Sequence, residues 1–186
     1  MKRAIIITIG LVFSLSIFAQ KGYKVGDMAR GFELKNIDGE MVSLRQFTSA
    51  KGFIVIFTCN HCPYAVAYED RIIAIDKKYK KLGFPVMAVN PNDSTIAPDD
   101  SYSKMIERAA EKGFTFPYLL DADQEVFKRF GATKTPHVFV MSRGDEGPKI
   151  EYIGTIDDNY ADASKVKVKY LENALDALLD GKKPDP

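Results

Sequence analysis

Two cysteines, both in the stretch Thr-Cys-Asn-His-Cys-Pro-Tyr at residues 58–64, are the side chains of this sequence best suited to chemistry. Only Asn60 and His61 separate Cys59 from Cys62, so the pair can form a reversible disulfide, bind a metal ion or form a structural bridge. A bridge across two residues closes a very small loop and removes little entropy from the unfolded chain. A structural role is therefore the weakest of the three.

Metal binding depends on which other ligands can reach the cysteines. A closed zinc site takes four ligands, and His61 and His137 are the two histidines of the chain. Thiolates and imidazole suit Cu(I), so a copper-binding module with ligands among Cys59, Cys62, His61 and His137 is an alternative. The main hypothesis is a redox pair, for which we expect no metal and no other cofactor.

The roles of the two thiols follow from the elements around them. The apolar run at residues 52–57 predicts a buried strand that leads into Cys59, and Pro63 fits the first turn of a helix. A helix N-terminus lowers the pKa of a thiol beside it, and only the thiolate attacks a disulfide. We expect Cys59 to be the nucleophile and Cys62, one turn later and deeper, to be the resolving thiol.

Asn60 and His61, between the cysteines, are predicted to tune the thiolate. A protonated imidazole beside a cysteine favours the thiolate, and a more stable thiolate makes the dithiol pair a stronger oxidant. The alternative is that His61 points into solvent and changes the pair little.

The first residues predict export. Lys2-Arg3 is followed by an apolar stretch that ends at Ala19, which is the pattern of a secretory signal peptide at residues 1–19. We expect cleavage after Ala19 and a mature domain of residues 20–186 in a compartment where disulfides persist, such as a bacterial periplasm. The apolar run is short for a membrane span, and a retained anchor is the alternative. The net charge of +1 gives no reason to expect nucleic acid as a partner.

The alternation of strand and helix patterns predicts one α/β domain with a central mixed sheet and helices on both faces. An N-terminal β-hairpin over residues 31–44 turns at Asp38-Gly39. The other predicted elements are strands at 52–57 and 84–89, helices at 65–82, 99–112 and 123–130, a hairpin joining 138–141 to 149–153, and a C-terminal helix with inner residues Val168, Leu171, Leu175 and Leu178. Asp99-Asp100-Ser101 is predicted to cap the second helix.

The combination of a strand, Cys-Asn-His-Cys-Pro, a long helix and a distant Thr135-Pro136 before a hairpin resembles the thioredoxin superfamily. More narrowly, residues 57–64, 90–93, 116–125 and 153–158 resemble the redoxin branch, the AhpC/TSA-like thiol–disulfide oxidoreductases. The resemblance covers about residues 24–180. It implies a thioredoxin-like fold and a thiol–disulfide oxidoreductase that exchanges disulfides with protein substrates and with a redox partner that the sequence does not identify.

The resemblance also assigns a substrate-binding role to Thr135 and Pro136. They correspond to the cis-proline loop of the family, in which the backbone at the position of Thr135 pairs with an extended substrate segment. The proline has no N–H and helps to keep other ligands away from the thiols.

Two departures from the family limit the activity that we expect. Thioredoxins and their cytochrome-maturation relatives place an acid near the resolving thiol, at positions occupied here by Phe53 and Ala65. Glu69 and Asp70 could compensate, but the helical stripe places both off the apolar face. True peroxiredoxins carry the peroxidatic motif P-x-x-x-[ST]-x-x-C, and residues 52–59 have neither the Pro nor the Thr at its place. A thiol peroxidase is therefore an alternative rather than the main hypothesis.

Overall fold

A computed structural model of the protein describes residues 22–185, and the predicted signal peptide at residues 1–19 lies outside them. Within the described part, no helix has the length and apolar character needed to cross a membrane. The elements of this part are the strands β1 (Glu33–Asn36), β2 (Met41–Ser43), β3 (Gly52–Phe57), β4 (Val86–Asn90), β5 (Tyr118–Leu120), β6 (His137–Gly144) and β7 (Gly147–Gly154), and the helices α1 (Pro63–Tyr79), α2 (Tyr102–Lys112), α3 (Glu125–Phe130) and α4 (Tyr170–Leu179).

The two continuous apolar runs of the sequence form neighbouring strands in the middle of the sheet. Every residue of β3 and of β4 is buried, as expected for strands covered on both faces. The strand order is β2-β1-β5-β4-β3-β6-β7. β3, β4 and β5 are mutually parallel, whereas β1, β2, β6 and β7 add antiparallel pairs. The predicted mixed sheet is confirmed.

Helices cover both faces of the sheet. Because side chains alternate along a strand, Ile54 and Ile56 pack under α1, α2 and α4, whereas Phe53 and Phe57 face α3 on the opposite side. Burial of these two apolar layers is the main stabilising contribution to the fold.

Two loops begin at the same edge of the sheet, where the parallel strands β3 and β4 end. Phe57 at the end of β3 pairs with Val89 of β4, and the N–H of Thr58 donates to the carbonyl of Val89 at 2.9 Å. The loop that contains the cysteines and the loop that follows β4 therefore start side by side. Crevices at the carboxyl ends of parallel strands are common sites of function in α/β folds.

Both predicted hairpins are present. Gly39 has φ of 92°, a left-handed conformation that glycine adopts without a steric cost, and it closes the turn between β1 and β2. The hairpin of β6 and β7 turns at residues 145–146. The strand β5 was not predicted, because three residues after a proline carry too little pattern.

Three of the helices, α2, α3 and α4, start later than their sequence patterns suggest. α3 begins at Glu125 rather than at residue 123, after Gln124 with φ of 56°. Val168 was predicted on the inner stripe of α4 but precedes that helix and is 37% exposed, because its carbonyl accepts the N–H of Asp158 in an extended segment. Leu171 and Leu175 are fully buried as predicted.

Candidate active site

The cysteine loop joins β3 to α1 at the edge where the parallel strands end. α1 begins at Pro63, and Cys62 is its N-cap residue with an extended backbone, φ of −63° and ψ of 122°. The free N–H groups and partial positive charge of the 17-residue helix are therefore presented to Cys62. Cys59 lies three residues earlier, outside the first turn.

The predicted depth of the two thiols is wrong. Cys59 is buried, with 3% of its surface exposed, whereas Cys62 is half-buried. The physical reason is the conformation of the loop: it is not yet helical at Cys59, so the chain turns Cys62 outward to the helix terminus and packs Cys59 beneath.

Thr135 contacts both sulfur atoms. Its Oγ1 lies 3.5 Å from the Sγ of Cys59, and the Sγ of Cys62 lies 3.7 Å from its carbonyl oxygen. The peptide bond between Thr135 and Pro136 is cis. Thr135, which lies 76 residues after Cys59 in the sequence, is thus part of the same site.

The surroundings shift the pKa values of the two thiols in opposite directions. Burial raises the pKa of Cys59, the hydrogen bond with Thr135 opposes this, and the charge of Asp100 raises it further. Partial burial also acts to raise the pKa of Cys62, but hydrogen bonds from Thr135 and from the backbone N–H groups of Ala65 and Tyr64 outweigh it. The net result for Cys62 is a lowered pKa.

A buried carboxylate, Asp100, organises the cysteine loop. It lies in a 3₁₀ turn after β4, and none of its surface is exposed. It accepts hydrogen bonds from the backbone N–H of Asn60 at 2.7 Å, from Nδ1 of His61 at 2.6 Å and from Nδ2 of Asn92 at 2.6 Å. Three donors from two loops thus converge on one carboxylate.

Asp100 was predicted only as part of the cap Asp99-Asp100-Ser101, and for Asp100 that prediction is wrong. Ser101 is the N-cap of α2 but makes no side-chain capping bond, and Asp100 points away from the helix toward the cysteines. Its position in a loop after a strand parallel to β3 is the signal that could have identified it.

Asn60 is held by its side chain as well as by its backbone. Its Nδ2 donates to the carbonyl of Asp99 at 2.9 Å, and its Oδ1 accepts the hydroxyl of Tyr118, a buried residue of β5, at 2.8 Å. These contacts fix the loop between the two thiols. The tuning role expected of Asn60 stays a prediction.

The four predicted copper ligands do not come together. In residues 22–185, the metal-ligating side chains that cluster are Cys59, His61 and Asp100, with one ligand atom of each within 4.8 Å of the others. His137 lies apart at the start of β6, where its Nδ1 accepts the N–H of Thr133 at 3.3 Å and its ring packs on Phe139. Burial, followed by the charge of Lys134, lowers the pKa of His137 to about 4.

A groove of about 390 Å³ opens beside Thr135 and Pro136. Tyr64 and Tyr160, each about half exposed, lie on its rim with ring centroids 4.5 Å apart. Lys134, Asp157 and Asp158 also line the groove.

The sequence of residues 25–148, more than half of the chain, matches the AhpC/TSA family. The chain belongs to the AhpC/TSA family. It is also similar to the thiol-disulfide oxidoreductase ResA of Halalkalibacterium halodurans, with 24% identity over 145 residues that cover 77% of this chain and 78% of that protein.

Solved structures share the fold of this chain. An uncharacterized conserved protein from Geobacillus kaustophilus is 33% identical and superposes with a TM-score of 0.79 over 87% of this chain and 85% of that one. A thiol:disulfide interchange protein of the thioredoxin family from Chlorobium tepidum is 17% identical, with a TM-score of 0.58 over 76% of this chain and 93% of that one. The fold is thioredoxin-like, as predicted.

In this AhpC/TSA-family chain, Glu69 and Asp70 contact basic side chains of α2. Glu69 was predicted to lie off the buried face, but it is 3% exposed and its carboxylate accepts Nε and Nη2 of Arg108 at 2.8 and 2.7 Å. Asp70 is exposed as predicted and contacts Lys112. Both acids are thus engaged in contacts between α1 and α2.

The peroxidatic motif P-x-x-x-[ST]-x-x-C fits neither cysteine of this AhpC/TSA-family chain. Counted back from Cys59, its Pro and Thr positions are occupied by Gly52 and Ile56, which lie in β3. Counted back from Cys62, they are occupied by Val55 and Cys59.

Proposed function

We propose that this protein is an exported thiol–disulfide oxidoreductase that exchanges disulfides with protein substrates through Cys59 and Cys62. The observation that carries the proposal is the placement of the pair: Cys62 caps a long helix, Cys59 lies beside it, and Thr135 contacts both sulfurs. The relationship to a ResA protein supports the same activity.

The exchange balances within the pair and its substrate. One thiolate of the protein attacks a sulfur of the substrate disulfide, and the other substrate sulfur leaves as a thiolate with its electron pair. The second protein thiol loses its proton and attacks the sulfur of the mixed disulfide that belongs to the first cysteine. The substrate leaves as a dithiol, reduced by two electrons, and the protein keeps the Cys59–Cys62 disulfide. The reverse sequence oxidises a dithiol.

The resemblance to the family assigns the first attack to Cys59. Cys59 is buried whereas Cys62 is only half-buried, and this argues for the opposite order.

We infer that substrates bind as an extended segment against Thr135 and place an apolar or aromatic side chain in the groove. The groove lies next to the thiols, and the rings of Tyr64 and Tyr160 offer a partly exposed apolar surface to a neighbouring side chain. Pairing of backbone groups provides affinity for an extended segment that does not depend on its sequence.

The compartment and the partners are part of the proposal. The leader-like residues 1–19 support export to a bacterial periplasm, where a protein dithiol or disulfide is the substrate and a second redox protein restores the pair.

The test is the reduction potential of the pair together with turnover of a protein disulfide. The chain is equilibrated with glutathione buffers, and the intramolecular bridge is followed by the loss of two free thiols. A reversible two-electron transition and reduction of insulin disulfides by the wild type, but not by Cys62→Ser, would support the proposal. Failure to form the bridge reversibly would overturn it.

A thiol peroxidase is the second candidate, because the AhpC/TSA family match includes the cysteine loop. Consumption of hydrogen peroxide with a dithiol donor, at a rate far above that of free cysteine, would favour it. The missing Pro and Thr of the peroxidatic motif argue against this outcome.

A further inference from the structure

We propose that Cys62 is the attacking thiol and Cys59 the resolving thiol, and that His61 and Asp100 together remove the proton of Cys59 when it attacks. This reverses the order that the family resemblance implies. The inference rests on the proposed disulfide exchange and specifies how that exchange proceeds.

Access is the first argument. The attacking sulfur has to meet a disulfide on another protein, whereas the resolving sulfur needs to reach only its neighbour. Cys62 is partly exposed at the N-terminus of α1, two residues before Tyr64, which lines the groove. Cys59 is 3% exposed and lies behind it.

The stabilisation of negative charge is the second argument. The terminal N–H groups of α1 converge on Cys62, where an attacking thiolate needs them. Cys59 lies instead near the buried carboxylate of Asp100, whose charge disfavours the thiolate form of Cys59. The shifts of the two pKa values agree with this division, because that of Cys62 is lowered and that of Cys59 raised.

The third argument is a set of groups suited to a resolving thiol. A protonated thiol needs a base at the moment when it attacks the mixed disulfide. One ring nitrogen of His61, one oxygen of Asp100 and the Sγ of Cys59 lie within 4.8 Å of one another. A carboxylate oxygen of Asp100 lies 2.6 Å from Nδ1 of His61 and so orients the imidazole beside Cys59. A nucleophile, a base and a carboxylate that orients the base form the arrangement used to activate buried nucleophiles.

His61 can also pass the proton on. Its side chain is 47% exposed, so the proton that leaves Cys59 has a route to solvent. Thioredoxins and their relatives place an acid near the resolving thiol, whereas this chain has Phe53 and Ala65 at those positions. In the proposed mechanism the base is instead His61 of the cysteine loop, assisted by Asp100 of the loop after β4.

The order of attack can be tested with dithiobis(nitrobenzoate), a small disulfide that releases a coloured thiolate at each exchange. The wild-type chain should release one equivalent rapidly as Cys62 attacks and a second more slowly as Cys59 resolves the mixed disulfide. Cys59→Ser should release one equivalent at the fast rate and retain the other on Cys62. Cys62→Ser should react at least tenfold more slowly. Rapid trapping on Cys59 in Cys62→Ser would overturn the proposed order, yet leave disulfide exchange intact.

The role of His61 and Asp100 is tested by the second phase alone. His61→Ala, at an exposed position, should leave the first phase unchanged and slow the second about tenfold, and added imidazole should restore part of the rate. Asp100→Asn should also slow the second phase selectively. Asp70→Asn, at an exposed acid near the middle of α1, is the charge-matched control and should change neither phase. Equal slowing of both phases in His61→Ala and Asp100→Asn, or no slowing of the second, would overturn the role of the pair. If the wild type releases no second equivalent, the proposed function fails as well.

Discussion

Thr135 is the residue outside the cysteine loop that touches both sulfurs. Its Oγ1 hydrogen bond lowers the pKa of each thiol and so stabilises the two thiolates. A threonine before the proline therefore does more than shape the loop, because its hydroxyl contacts the buried sulfur of Cys59 and its carbonyl oxygen contacts the half-buried sulfur of Cys62.

Replacing this hydroxyl by a methyl group should make both thiols weaker acids. Thr135→Val keeps the shape of the side chain and removes the donor, and a hydrogen bond to a charged group contributes about 1.5–3 kcal/mol, so we expect the pKa of Cys62 to rise by about one unit. The absorbance of the thiolate near 240 nm as a function of pH measures it. Thr133→Val, at an exposed threonine of the same loop, is the control. An unchanged titration would remove Thr135 from the electrostatics of the site.

The tyrosines of the groove should matter for large substrates and not for small ones. Tyr160→Ala removes one of the two neighbouring rings at the rim, and we expect KM for a polypeptide disulfide to rise about three- to tenfold because apolar contact area is lost. The reaction with dithiobis(nitrobenzoate) should be unaffected. Tyr170→Ala, an exposed tyrosine of α4 outside the groove, is the matched control. Equal effects of both variants would argue against a substrate contact at the groove.

At the scale of elements, α1 and α2 are joined by a buried ion pair. Arg108 of α2 reaches Glu69 of α1 with two hydrogen bonds, and Glu69 has 4% of its side chain exposed. A buried pair gains little over an apolar pair, but loss of one partner leaves an uncompensated charge. The pair holds together the helix that carries Cys62 at its start and the helix that follows Asp100.

Arg108→Met should therefore destabilise the fold by about 2–4 kcal/mol, measured as the free energy of unfolding in urea. Lys104→Met removes an exposed pair with Glu107 on the same helix and should cost less than about 1 kcal/mol. The double variant Arg108→Met, Glu69→Leu should recover part of the loss, since no charge is then left buried. A loss as small as that of Lys104→Met would show that Lys112, 3.6 Å from Glu69, is a sufficient partner.

The elements that the sequence predicts well are those with long, regular patterns. β3 and β4 are continuous apolar runs, and α1 has an apolar stripe over five turns, so local pattern and burial agree. The depth of Cys59 and Cys62 could not be predicted, because it depends on where the helix starts, and this is set by the loop bonded to Asp100. Asp100 itself carries no local signal, since its partners are 40 and 8 residues away in the sequence.

At the scale of the whole molecule, the site depends on three segments that the sheet brings to one edge. The cysteine loop follows β3, the loop with Asp100 follows β4, and Thr135 precedes β6, the antiparallel neighbour of β3. Each segment contributes a different kind of group, and the central strands keep the segments in register. The same strand ends therefore position the site and contribute to the stability of the fold. The buried His137 at the start of β6 allows the stability of this region to be measured as a function of pH.

His137 should make the fold less stable in acid. Its ring is 9% exposed, and burial lowers its pKa from 6.5 to about 4, so the unfolded chain binds a proton between these two values that the folded chain does not. The stability contributed by the neutral ring is complete above pH 6.5 and is lost as the pH falls toward 4, by about 3 kcal/mol at most. Urea unfolding of the reduced chain at pH 7 and pH 5 measures the loss. His137→Asn, which keeps an acceptor for the N–H of Thr133, should flatten the change with pH, whereas His61→Ala should not. Equal pH dependence of the wild type and His137→Asn would mean that the ring is hydrated enough to be protonated in place.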